Sequence, residues 1–520
     1  MNNKMKKLPK GIPTFQELIE DNYIYVDKTK DVYTLLKNDK LNFLSRPRRF
    51  GKSLLLSTIE EIFKGNKELF KDLYIYDKWD WNDIYPVLSM DMSGYKEGSV
   101  QEFINDKINR VSYRFKIKLE SKSLNQRFAE LIEKIHNFHD KKVVILIDEY
   151  DSPILSNLND PEFVEDTQKL LNGVYSAIKE NDRFIKFVLV TGISKFSKVS
   201  AFSALNHLTD ITLSENYSCI CGYTQKELET YFNGYIEELA DHRQYSYENA
   251  LDNIKFWYDG YSWDGENNLY NPYSTILLFY DKKFIDHWFE TGTPRFLIDF
   301  ASHVKDISPI LEPSIMYKDD LDNFDPLNIE ETTLLFQAGY LTIKNIDKTY
   351  DEYEYELYLP NYEVEKALTK NLVKTYTQLP IKKLISARKK FWKQVNAGDC
   401  EGLKETIMEY LIPIANKQRG QNENFYHALI FKWLTSLGFE GYSNPPTYIG
   451  EMDVVLDKTD PIIIIEFKQS KTSSIEYMIN EAFNQMNKKQ YEKLYKGKNI
   501  IKMALVFKND EIGCKIEKNF

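Results

Sequence analysis

The chain has 520 residues, 42% of them hydrophobic, and a formal net charge of -10. That length exceeds one compact domain of ordinary size, so two or three domains with substantial cores are expected. The acidic balance excludes bulk attraction to polyanions, and the four cysteines, Cys219, Cys221, Cys400 and Cys514, lack the spacing of a structural zinc site or a secreted disulfide framework.

The N-terminal string MNNKMKKLPKGIPTF is basic but has no apolar segment after its lysines. No apolar run approaches the ~20 residues of a membrane span, so a soluble, cytoplasmic protein without membrane contact is expected. The first half then alternates short apolar runs with longer amphipathic segments, the pattern of a parallel sheet covered by helices. Predicted strands are Leu41 to Ser45, Pro86 to Met92, Val143 to Asp148, Lys186 to Thr191 and His207 to Leu213. The fold class is α/β.

The string RPRRFGKSLLL follows the first strand and opens a helix, the context a phosphate-binding loop requires. Arg46, Pro47, Arg48, Arg49, Phe50, Gly51, Lys52, Ser53 and Leu54 form the predicted nucleotide-binding stretch. Backbone N–H groups at the helix start would face the phosphates, Lys52 would reach the β and γ oxygens, and the Ser53 hydroxyl would help hold Mg²⁺. Gly51 permits close approach of the backbone. Arg46 stands where the pattern G-x-x-x-x-G-K-[ST] has its first glycine. Alone, the Gly-Lys-Ser triplet is equally an ordinary helix start.

The run KKVVILIDEYDSP supplies the partner, an apolar strand ending in Asp148 and Glu149. The first carboxylate can sit by Mg²⁺ and the second can polarise a water in line with the γ-phosphate. The strand KFVLV ends in TGISKFSK, which places Thr191, Ser194 and Lys195 where a sensor of the γ-phosphate would stand; a polar strand-to-loop transition is the competing reading. Through YVDKT, FLSRPRRFGKSLLL, ILIDEYDSP, VLVTGISKFSK and FSALNHLTDITL the chain resembles the bacterial and archaeal AAA-ATPase-like proteins, from about Leu8 to Leu213. The resemblance implies ATP as ligand, tolerates a glycine-poor phosphate loop, and makes the segment around Tyr25, Asp27 and Lys28 a candidate for nucleotide contact. It also implies work as a homo-oligomer.

From about Thr224 the pattern turns helical and aromatic, with the turn-rich string WYDGYSWDGENNLYNP between helices. CGYTQKEL, WYDGYSW, LYNPYS and TGTPRFL look like the downstream region of the same family. The expected division is an ATPase domain over 1–223, a helical lid or adaptor over 224–395, and a third domain over 396–520. The basic stretch IKKLISARKKFWK, Ile381 to Lys393, interleaves Phe391 and Trp392 and reads either as a solvated surface or as a face for a nucleic-acid duplex.

The segment YIGEMDVVLDKTDPIIIIEFKQSK carries a second chemistry. Ile462 to Ile465 reads as a buried strand, and period-2 alternation puts Glu466 and Lys468 on one face with Phe467 on the other. Asp453 lies on a preceding antiparallel neighbour across a turn at Lys458 to Pro461, so two carboxylates and a lysine can converge. That set suits phosphodiester hydrolysis with one or two Mg²⁺ ions, or Mn²⁺, between the carboxylates. A strand pair with an ordinary Glu/Lys ladder is the bland alternative. A helix with Glu423 near its start precedes these strands, and a helix with Gln485 mid-face follows.

That order resembles the PD-(D/E)XK nuclease superfamily over roughly Gln421 to Glu517, in the variant found behind AAA-ATPase-like domains. The resemblance implies Glu423, Asp453, Glu466 and Lys468 as the active-site set, with Gln485 in support; relatives often carry an arginine before the Asp strand, where this chain has Glu451 and Met452. An ATP-regulated nuclease acting on DNA, or less favourably RNA, is the expectation, with defence against foreign genetic elements as its setting. A signalling or scaffolding NTPase whose C-terminal domain binds nucleic acid or protein without cutting is the rival.

Overall fold

The structure is a computed structural model that describes residues 5–195, 208–288, 313–322, 325–328, 330–349, 352–377, 381–415, 423–443, 446–447, 450–469, 472–508 and 511–519. Its contacts divide into two compact units, Met1–Leu297 with Ser314–Val364, and Ile298–Pro313 with Glu365–Phe520.

In the first unit β1 (Leu41–Ser45) leads into α1 (Lys52–Phe63). β2 (Val87–Asp91), β3 (Val143–Asp148), β4 (Ile185–Gly192) and β5 (Thr209–Asp210) complete one sheet in the order β2-β3-β4-β1-β5. Every pairing in it is parallel. All six residues of β3 are buried, which is why it reads as an unbroken apolar run rather than an alternation. Helices α2 (Val100–Arg114), α3 (Leu124–His139) and α4 (Pro161–Glu180) flank the sheet. α1 buries Leu55, Leu56, Ile59, Ile62 and Phe63, the helical spacing of a core-facing stripe.

Farther along, α5 (Gln225–Arg243), α6 (Tyr247–Tyr258) and α7 (Pro272–Asp281) share a core that includes Leu228, Phe232, Ile254, Trp257 and Leu278. Thr224 caps α5 with a full capping box through Glu227. The sequence reading makes this region mainly helical, and the structure adds a small antiparallel sheet, β6 (Ser314–Tyr317), β7 (Thr342–Asp347) and β8 (Glu354–Tyr358), ordered β6-β8-β7. β8 buries Tyr355 and Leu357 in alternation with Glu354 and Glu356, a period-2 pattern too short to stand out in the sequence.

The chain continues through α8 (Tyr362–Thr377), α9 (Ile381–Ala397), α10 (Cys400–Ala415) and α11 (Glu423–Ser436). The second unit then builds β9 (Tyr442–Ser443), the short pair β10 (Pro446–Thr447) and β11 (Gly450–Glu451), β12 (Val454–Leu456) and β13 (Ile462–Gln469). α12 (Ile475–Lys488), β14 (Ile500–Lys508) and β15 (Glu511–Asn519) complete a mixed sheet ordered β15-β14-β13-β12-β9. β13 and β14 are parallel and α12 is the crossover between them, packing Ala482, Phe483 and Met486 on Val455, Ile464 and Ala504. In α9, Phe391 is fully buried, with its ring against Trp433 and Phe439. Its place in the basic stretch serves the core and not a duplex.

Two candidate active sites

The β1 to α1 junction forms the first site. Gly51 is the N-cap of α1 at φ +96°, and Arg49 also lies in the left-handed region at φ +69°. The intervening loop folds back so that Lys52 Nζ donates to the carbonyls of Arg46 at 2.7 Å and Pro47 at 3.0 Å. Burial lowers the Lys52 pKa, against the charges of Asp148 and Glu149. The Ser53 hydroxyl donates to Asp148 Oδ2 at 2.5 Å, and Thr191 Oγ1 donates to Asp148 Oδ1 at 2.6 Å. Lys52, Ser53, Asp148, Glu149 and Thr191 are therefore gathered at the ends of β1, β3 and β4.

Glu149 itself has a positive φ of 50° and lines a cavity of about 500 Å³ together with Arg48, Arg49, Phe50, Gly51, Lys52, Ser53 and Leu54. Burial raises the Glu149 pKa, opposed by Lys52. A non-glycine residue held in this backbone region is a local cost that the surrounding structure must enforce, and such costs collect at functional sites. The far walls are apolar and include Ile12, Ile24, Val26 and Ile276, with Tyr25 and Lys28 also at the surface. Lys28 is paired with Glu227 at 2.7 Å, and Asp27 turns aside to cap Thr29.

Arg46 and Pro47, expected within the nucleotide-binding stretch, turn their side chains away from the cavity. The fully buried Arg46 guanidinium donates to the carbonyls of Ser45, Thr212, Tyr217 and Ser218 and lies over the Trp263 ring at 4.1 Å. Neither residue lines the cavity, and both contribute carbonyls to Lys52 instead. The bulk that replaces the pattern's first glycine is a strut, because a planar fork can satisfy several carbonyls at once. Phe50 is likewise enclosed, edge-on to Tyr261 at 4.8 Å and Trp263 at 5.1 Å, and Trp288 Nε1 donates to the Arg48 carbonyl at 3.0 Å. The string WYDGYSW, read in sequence as turn-rich and similar to the family's downstream region, thus grips the phosphate loop.

The candidate sensors separate. Thr191 bonds Asp148, whereas Ser194 donates through both N–H and hydroxyl to the buried Asp151, and Lys195 pairs with Asp210. Asp151 was not singled out by the sequence, though it follows Glu149 by two positions in DEYD. Residues 196–207, covering the end of VLVTGISKFSK and the first half of FSALNHLTDITL, and the whole of TGTPRFL lie outside the described residues.

The second site sits where β12 meets β13. Their antiparallel register pairs Val454 with Ile465, which brings Asp453 opposite Glu466. Asp453 Oδ2 accepts from the Phe467 N–H at 2.7 Å, and its carbonyl contacts His427 Nε2 at 2.7 Å. Lys468 Nζ lies 3.5 Å from Glu466 Oε1. The Glu466 side chain is fully buried and its Oε2 has no hydrogen-bond partner among the described residues. Burial first, and the charge of Asp453 second, push its pKa up to about 8.

A buried carboxylate with an orphan oxygen, beside a second carboxylate, fits a divalent cation. Among the described residues no group of three or more His, Cys, Asp and Glu is gathered. Glu423 is the first residue of α11, and its side chain lies outside the described residues. Gln485 is half-buried on α12, one turn before Lys489, whose charge also bears on Glu466. His427 and Lys489 were missed: a histidine in an apolar helix and a lysine in a lysine-rich run carry no local signal. Met452 is buried in the core of this unit, so the position before Asp453 offers the site no cation.

A parallel sheet with its phosphate-loop strand between β4 and β5, and a mixed sheet with a carboxylate pair and lysine at a strand junction, define a nucleotide-binding ATPase-like module followed by a nuclease-type module. The family model described as "Predicted AAA-ATPase" matches residues 9–202, and that described as "PD-(D/E)XK nuclease superfamily" matches residues 421–517. The chain belongs to the AAA-ATPase-like family with a C-terminal domain of the PD-(D/E)XK nuclease superfamily. It is 34% identical over 506 residues to an uncharacterized protein in the vnfD 5' region of Azotobacter chroococcum mcd 1, covering 95% of this chain and 94% of that protein. No solved structure matches it significantly. No helix among the described residues is long and apolar enough to cross a membrane.

Proposed function

We propose that the first unit binds and hydrolyses ATP and that the second cleaves nucleic acid, DNA in preference to RNA, with a divalent cation. The observation that carries the second half is the orphan Glu466 Oε2, buried opposite Asp453 and beside Lys468. Burying a carboxylate without a partner costs several kcal/mol, a cost that a bound cation offsets.

At the first site Lys52 exchanges two loop carbonyls for the β and γ oxygens of the nucleotide, while the apolar walls accept its base. Ser53 and Asp148 hold the Mg²⁺ that accompanies ATP, with Thr191 fixing the Asp148 carboxylate. Glu149 orients the attacking water. At the second site Asp453 and Glu466 would hold Mg²⁺ or Mn²⁺, which would supply charge for the scissile phosphate and lower the pKa of an attacking water. Phe467 and His427 hold Asp453 in place from its carboxylate and its carbonyl, and Lys468 offsets charge at the reacting phosphate.

The test is incubation of the purified chain with plasmid, linear duplex, single-stranded DNA and RNA, with Mg²⁺, Mn²⁺ or EDTA. Cation-dependent cleavage, strongest on DNA and lost in Asp453→Ala, is expected. Met452 favours a second reading, binding without cleavage, and retention of DNA with no cleavage in either cation would establish it in place of the first.

A further inference from the structure

Two of the four cysteines face each other within the second unit, far apart in sequence. Cys400 is the first residue of α10, and Cys514 lies in β15. Their Sγ atoms are 2.7 Å apart, with Cys514 donating to Cys400, and both side chains are partly exposed. The two sulfurs are therefore already near the ~2.05 Å of a disulfide bond.

We propose that Cys400 and Cys514 are a redox-active dithiol that closes, under a two-electron oxidant such as hydrogen peroxide, to a reversible disulfide stapling α10 to the edge of the nuclease-type sheet. The two thiols are not equivalent. Cys400 sits at a helix N-terminus, where partial positive charge favours a thiolate, and Lys404 lies one turn on, partly neutralised by Glu401. The hydrogen bond from Cys514 lowers the Cys400 pKa and raises that of Cys514 itself. Cys400 is the attacking thiol: its thiolate displaces hydroxide from peroxide and becomes a sulfenic acid. Cys514 then attacks that sulfur and expels a second hydroxide. The two hydroxides take the two thiol protons and leave as two waters, so the dithiol gives up two electrons and peroxide accepts them.

The staple would bear on the sheet that carries the second site. Cys514 pairs with Leu505 on β14, and Leu505 pairs with Phe467, the residue between Glu466 and Lys468. Lys518 of β15 already ties to the Asn396 carbonyl at 2.6 Å, so the bond would tighten an existing junction.

The full chain, first reduced with dithiothreitol and then treated with peroxide, should lose two of its four alkylatable thiols and yield an intramolecular Cys400–Cys514 cross-linked peptide. Dithiothreitol should restore all four. Thermal unfolding of the oxidised chain should shift upward by roughly 5 °C or more. Cys514→Ser should instead accumulate a dimedone-reactive sulfenic acid at Cys400, and Cys400→Ser should give no such cross-link. Four free thiols after peroxide, a cross-link confined to Cys219 and Cys221, or only intermolecular dimers would overturn the proposal, and these readouts on the unmutated chain do not depend on either variant folding.

Discussion

Lys52 and Glu149 line one cavity, and under the proposed function one would hold the phosphates and the other a water, so their loss should be separable. Lys52→Ala removes the buried ammonium that now rests on two carbonyls, and nucleotide affinity should fall at least ~10-fold in equilibrium binding. Glu149→Gln keeps the shape and should bind ATP normally while turnover drops ~100-fold or more, the size of a lost general base. Comparable turnover in wild type and both variants would refute the site. A third carboxylate, Glu363, gives a stability signature. It is fully buried, accepts from the Trp288 N–H and the Ser274 hydroxyl, leaves Oε2 without a partner, and has its pKa pushed by burial up to about 8. Between the ordinary glutamate value of ~4.3 and that value, the folded chain holds a proton that the unfolded chain has released. Stability from this group is full at the acid end and falls by about 1.4 kcal/mol per pH unit up to about 8. Glu363→Gln should flatten that slope, read as a variant-minus-wild-type difference in urea unfolding at several pH values. Glu466 carries a similar shift in both proteins and cancels.

At the scale of elements, the phosphate loop depends on side chains brought from distant segments. Arg46 reaches four carbonyls and a tryptophan face, so Arg46→Lys, which cannot fork, and Arg46→Ala should each destabilise the chain, the latter by about 3 kcal/mol or more. Trp263→Ala should act on the same loop by freeing both Arg46 and Phe50, and should weaken ATP binding even where the fold survives; unchanged affinity in a folded Trp263→Ala chain would show that the grip is incidental. The sequence makes β1 to β4 readable because buried strands leave continuous apolar runs and a recognisable Gly-Lys-Ser opens the helix after β1, whereas β5 is only Thr209–Asp210, with neither residue buried. It also makes Asp453, Glu466 and Lys468 readable, since period-2 alternation and one short turn bring them together. It hides Arg46's true role because a motif states which residues are present and not which way each points. Asp151, His427, Trp288 and the grip of Tyr261 and Trp263 were invisible for a related reason: each acts through a partner more than 20 residues away, and no local pattern encodes that distance.

For the whole molecule, joining an ATPase-like module to a nuclease-type module would, under the proposed function, let nucleotide state govern cleavage. A ligand shifts an equilibrium only by its differential affinity for two states, so ATP must contact groups that differ between a resting and a cutting form. The first unit contains such a group: Lys52 rests on the Arg46 and Pro47 carbonyls and must leave them to meet a phosphate, while the same loop is held by Trp288 and the Tyr261–Trp263 pair. Nucleotide arrival therefore changes the bonding of a loop gripped by the region downstream of the sheet. Were the chain to assemble, that would be a second controllable step, because closed homo-oligomers can complete one another's sites. Cleavage rate and sedimentation should be measured in parallel without nucleotide and with ADP, ATP or a non-hydrolysable analogue, using Glu149→Gln as a trapped ATP state. Cleavage should differ at least ~5-fold between the ADP and trapped ATP states, the coupling of about 1 kcal/mol at the low end for linked sites. Loss of that difference in Lys52→Ala, with cation-dependent cleavage retained, would place the control at the phosphate loop. Equal rates in all four conditions with an unchanged sedimentation profile would mean that the two sites work independently.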